Sequence, residues 1–109
     1  MNTLQAQFTV KVGGKNVKCH LSMNAFRILT QKFGVKLAEI DSFVNADPLT
    51  ALPALAWCGA VNHYSRKGEE FNMGFEQFAA LMLDSEESIS KVTEALASAF
   101  GAEEAEGNK

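Results

Sequence analysis

The residues of this 109-residue chain whose types could do chemistry are few: Cys19 beside His20, and Cys58 five positions before His63. A thiolate next to an imidazole would be a nucleophile with its base, and four such donors could close a zinc site. The spacing argues against both. On a helix, five residues turn the chain by about 500°, leaving Cys58 and His63 roughly 140° apart. Neighbours on a strand, such as Cys19 and His20, point to opposite faces. The simpler reading is two packed thiols and two ordinary histidines.

The other candidates are equally sparse. Glu69-Glu70, Glu86-Glu87 and Glu103-Glu104 fall in a loop, at a helix start and in a tail. None has the apolar surroundings that raise a carboxyl into acid–base use, so they read as solvated or capping charges. Gly13-Gly14 is followed by Lys15-Asn16, without the GK[ST] ending of a phosphate loop, and reads as a turn. Trp57, set among Ala56, Cys58 and Ala60, is expected to fill the middle of a core rather than to stand out as a binding anchor. The expectation is a non-enzyme with no cofactor and no metal.

Composition supports one domain over 1–101: 47% of residues are hydrophobic and 21% charged. A net charge of −3 argues against a general nucleic-acid surface, which needs a surplus of Lys and Arg. The segment "MNTLQAQFTV" lacks the basic head and long apolar stretch of a signal peptide. The run Leu49 to Val61, broken by Pro53, is too short to span a bilayer, so no membrane partner is expected. Reduced thiols in a non-secreted, cytosolic chain follow.

Residues 5–21 alternate apolar and polar on both sides of the two glycines, a hairpin pattern. A Gly14-Lys15 turn would pair Val12 with Val17, Val10 with Cys19 and Phe8 with Leu21, at the cost of facing Lys11 with Lys18. Ser22 should cap a helix over 23–33 that Gly34 ends. A shorter helix over 37–44 would turn Leu37, Ile40 and Phe43 or Val44 inward. Asp47 and Pro48 should start a central helix over 49–63, apolar nearly all round, with Pro53 tolerated if the helix proper begins near Thr50. Gly59 inside it costs about 1 kcal/mol against Ala unless another backbone approaches there. Asn72 should cap a helix over 73–83, and Asp84 or Ser85 a last one over 86–100. That last helix carries Ile89, Val92, Leu96 and Phe100 as a stripe and Gly101 as its end. Residues 102–109 read as a disordered acidic tail. The fold class is therefore α+β, mainly helical: an N-terminal β-hairpin followed by a bundle of four to five α-helices.

This order of features resembles the tail assembly chaperones of long-tailed bacteriophages. The resemblance rests on "FTVKVGGKNVKCHLS", "LTQKFG", the proline-marked "ALAWCGAVNH", "FNMGFEQFAALM" and "SISKVTEALASAF", and covers about residues 7–100. Asn72 stands where the pattern often carries Thr, which keeps the capping chemistry. The resemblance implies a non-catalytic protein that binds the tape-measure protein and keeps it soluble while tail-tube protein polymerises around it. It implies a place in the host cytoplasm, absence from the mature virion, and in many members a longer frameshifted form. A holder of amphipathic helices needs an apolar groove. Phe71 and Met73, at a polar loop boundary, are the expected partner-binding residues, and open hairpin edges favour a homo-oligomer. The alternative is a structural tail-completion or connector subunit of the virion.

Overall fold

The computed structural model describes the backbone of residues 6–107 and the side chains as far as Ala99. Its order is β1 (Ala6–Val12), β2 (Lys15–Leu21), α1 (Met23–Phe33), a 3-10 turn (Leu37–Glu39), α2 (Ile40–Ala46), α3 (Pro48–Arg66), α4 (Phe75–Met82) and α5 (Glu86–Gly107). This is the expected α+β, mainly helical class. Residue 5, taken as the start of the hairpin, and residues 108–109 lie outside the described residues.

The hairpin forms in a different register from the one expected. Val12 faces Lys15, Val10 faces Val17, Phe8 faces Cys19 and Ala6 faces Leu21. The turn is therefore Gly13-Gly14, with φ of 60° and 82°. A two-residue hairpin turn of this kind needs positive φ at both central positions, which two glycines supply and a lysine resists. The slip is by two residues, so the same side chains stay on the core face. It also relieves the expected lysine pair, since Lys11 now faces Asn16 and Lys18 faces Thr9.

Val10, Val12, Val17, Cys19 and Leu21 are buried under the helices. Each fully buried valine or leucine contributes about 1.5–3 kcal/mol, which two strands alone in water could not gain. The cover is α3 over β2 and α5 over β1. As expected of a helix apolar nearly all round, α3 is central, packing against β2, α1, α2, α4 and α5. Gly59 explains how it comes so near: a Cβ there would lie 3.1 Å from Cys19 Cβ and 3.3 Å from His20 N.

Several helix limits move. The central helix begins at Pro48 and runs to Arg66, so Pro53 is an interior residue rather than a first-turn one. Asp47 C=O accepts from Thr50 N–H (3.1 Å) and Ala51 N–H (2.8 Å), which fixes the early start. The carbonyl that Pro53 leaves without a donor belongs to Leu49, in the exposed first turn. Leu37 opens a 3-10 turn and is 41% exposed, so of the expected inward residues only Ile40 is fully buried. Phe75, not Met73, opens α4, with Gly74 at the cap position in place of Asn72. Asp47 and Ser22 occupy their cap positions without capping through their side chains. At the other end of α1, Gly34 does stop the helix, with φ 73° and its N–H on Thr30 C=O at 2.9 Å.

The last helix does not stop at Gly101. It continues through the stretch read as a disordered tail, as far as Gly107. Alanine and glutamate on both sides are strong helix formers and offset the cost of one glycine, about 1 kcal/mol. Its buried stripe is Ser88, Val92, Ala95 and Ala99, with the expected Ile89 and Leu96 at the flanks, while the side chain of Phe100 lies outside the described residues. Small residues at the contact let α5 lie close along β1.

Candidate interaction surface

The two thiols lie in the core. Cys19 and Cys58 are both buried and unpaired. Burial pushes the Cys19 thiol far up and the Cys58 thiol up to about 12, the latter against a small opposing pull from Lys32. A thiol so raised is no nucleophile at neutral pH. Among the described residues, no three His, Cys, Asp or Glu side chains gather as a metal would require. A groove of about 500 Å³ between the β1 residues Ala6–Thr9 and the α5 residues Lys91, Glu94, Ala95 and Ser98 holds no histidine or thiol.

Aromatic packing, by contrast, is dense. Phe33 of α1, Trp57 of α3 and Phe75 of α4 meet edge to face, with ring centroids 4.9–6.1 Å apart. All three are half-buried. Trp57 is therefore a wall of the core rather than its middle, and its Nε1–H donates to Met73 C=O at 2.9 Å. That bond holds the connection before α4 extended and accounts for the late start of that helix. A second group lies beyond it: Phe71 sits between Tyr64 (5.1 Å) and the fully buried Phe78 (5.8 Å).

Phe71 and Met73, the two expected contact residues, are thus both half-buried and anchored to the core cluster. They form a strap between two aromatic groups, one through its ring and one through its carbonyl. The large apolar side chains that stand out among the described residues are others: Leu49 at 66%, Met23 at 56% and Leu37 at 41% exposure. Leu37 and Leu49 flank α2, whose Phe43 and Val44 are half-buried. The loop-boundary position of Phe71 suggested exposure, and its ring contacts with Tyr64 and Phe78 explain why it is partly withdrawn.

One polar residue escaped the sequence reading altogether. Asn62 is completely buried in α3 and fully bonded. Its Nδ2 donates to His20 C=O (2.8 Å) and to Ser22 Oγ (3.1 Å), while its Oδ1 accepts from Asn24 Nδ2 (2.8 Å). Asn24 Oδ1 in turn accepts from Arg27 Nε at 2.9 Å. Ser22 therefore spends its hydroxyl on Asn62 instead of on a helix cap. A lone asparagine in an apolar helix was the available signal, since a buried amide must find partners. Ser88 is the second such residue: its Oγ accepts from Lys11 N–H (2.7 Å) and donates to Lys11 C=O (3.2 Å), occupying β1's outer edge.

The asparagine network brings bases together in a chain of net charge −3. Arg27 lies at its α1 end and His20 at its β2 end, with His63 and Arg66 on the last turn of α3 and Lys67 just after it. Burial first, and then Arg66 and His63, hold the His20 imidazole below its ordinary pKa. His63 is lowered by burial, then by Lys67 and Lys18, with Arg66 adding to them and Glu69 opposing. No described helix is long and apolar enough to cross a membrane. Comparison with protein-family models, with curated proteins and with solved structures returns no match for this chain.

Proposed function

We propose that this chain is a non-catalytic chaperone of bacteriophage tail assembly. It binds the tape-measure protein in the host cytoplasm, keeps it soluble while tail-tube protein assembles, and is left out of the mature virion. The observation that carries the reading is the half-open aromatic wall of Phe33, Trp57 and Phe75, with the Phe71–Met73 strap beside it. Such a surface offers an amphipathic helix a seat for its i, i+3, i+4, i+7 stripe. Phenylalanine and methionine repack around varied partners, which suits a long target of changing sequence. Exposed Leu37 and Leu49 add apolar area on the side of α2.

The test is co-expression with a tape-measure protein encoded beside this chain, scoring how much of it stays soluble and co-purifies. A soluble complex is expected, reduced severalfold by Leu49→Asp and by Phe71→Ala in a chain that still folds. Equal precipitation with and without this chain would defeat the proposal. Recovery of the chain from purified particles would count for the structural-subunit alternative instead.

A further inference from the structure

The cationic ledge around Asn62 has a complement within the same sequence. Lys18 reaches it from β2, Arg27 from α1, His63 and Arg66 from α3 and Lys67 from the residue after it, with Lys18, Arg27, Arg66 and Lys67 all exposed. A helix C-terminus attracts bases to its own last turn, which accounts for His63 and Arg66 but not for Lys18 and Arg27 arriving from other elements. Glu69 is the one acid acting on His63. The opposite charge is concentrated in α5, which carries six glutamates against one lysine. Three of the six, in Glu103-Glu104-Ala105-Glu106, follow one another with no base among them.

The ledge and the part of α5 from Ser88 to Ser98 sit on different sides of the hairpin. Through Ser88 and Ser98, α5 follows the outer edge of β1, while Asn62 takes the His20 carbonyl of β2. We propose that the cationic ledge of one copy receives the acidic stretch Glu103–Glu106 of a second copy. Because the patch and its complement are different stretches of the chain, the contact is head-to-tail and adds copies in succession rather than closing a twofold dimer. Single exposed ion pairs are worth little, so the contact depends on several charges acting together and is screened by salt.

Sedimentation of the full chain tests this, at about 10 mM and about 300 mM salt. The expected result is a mass that grows with protein concentration at low salt and returns to the monomer at high salt. R66E/K67E and E103K/E104K each lose the low-salt association, and circular dichroism checks that both keep the fold. Mixing the two variants restores association, because the intact ledge of one meets the intact acidic stretch of the other. A chain that stays monomeric at low salt, or an association indifferent to either pair of reversals, would overturn the proposal.

Discussion

Gly59 of α3 and Cys19 of β2 lie in backbone-to-side-chain contact, close enough that a single added carbon at 59 would stand 3.1 Å from Cys19 Cβ. The neighbouring obstacle, His20 N at 3.3 Å from the same point, is main chain and belongs to a paired strand. The glycine therefore costs helix propensity in order to let the helix lie on the strand.

Gly59→Ala sets these effects against each other. Alanine returns about 1 kcal/mol of helix propensity, while overpacking at a rigid contact costs about 1–3 kcal/mol. A net loss of about 1 kcal/mol is expected, and Gly59→Val should lose about 3 kcal/mol. Urea denaturation measures both. An alanine variant more stable than the parent would show that β2 can move away, and that the close approach is incidental.

Asn62→Ala should be the more damaging change despite its smaller volume. It strips a partner from His20 C=O, Ser22 Oγ and Asn24 Nδ2 at once. Leaving buried polar groups unpaired costs about 1–3 kcal/mol each, so a loss of about 2–4 kcal/mol is expected after partial relaxation. Paired with Asn24→Ala in a double-mutant cycle, the two changes should be non-additive. Simple additivity would mean that the amide network has no energetic coupling.

Acidification should weaken the fold through the two histidines. Both imidazoles have folded pKa values below the ordinary 6.5, chiefly through burial and then through Arg66, His63, Lys67 and Lys18. Between the folded and unfolded values the unfolded chain binds more protons, so stability rises with pH there. Their contribution is thus fully present above pH 6.5 and is lost as pH falls through the folded values. Thermal melts should move down on that descent, and less so in Arg66→Gln, which removes a cation acting on both rings. An identical descent in parent and variant would dismiss Arg66 as a cause.

How much of this was legible in the sequence depends on which physical signal each residue carried. Period-two alternation gave the hairpin and its buried face, but a slip by two residues preserves that face. Only the demand for positive φ at Gly13 and Gly14 distinguishes the registers. The all-round apolar pattern of α3 gave its central place, and Gly59 was legible as a point of close approach. Asn62 and Ser88 were not, because their partners come from backbone and side chains 38 or more positions away. Helix ends were the least secure: Gly101 looks like a stop, yet the alanines and glutamates around it carry the helix onward. At the candidate surface, the loop-boundary position of Phe71 and Met73 suggested exposure, and both are half-buried against the core. The Trp57 bond that fastens Met73 depends on tertiary geometry that no local pattern reports.

The clasp of Ser88 on Lys11 spans 77 positions, and it sets a timetable for the nascent chain. Both strands are synthesised before the helices and are local enough to find each other early, but the β1 edge gains its hydroxyl partner only after the start of α5 has emerged. Until then the β1 half of the hairpin waits for a helix made later, with its share of the apolar face still to be covered. Chains interrupted between α4 and α5 would keep α3 over β2 but leave β1 without its cover, a form suited to clumping and to disposal by cellular quality control.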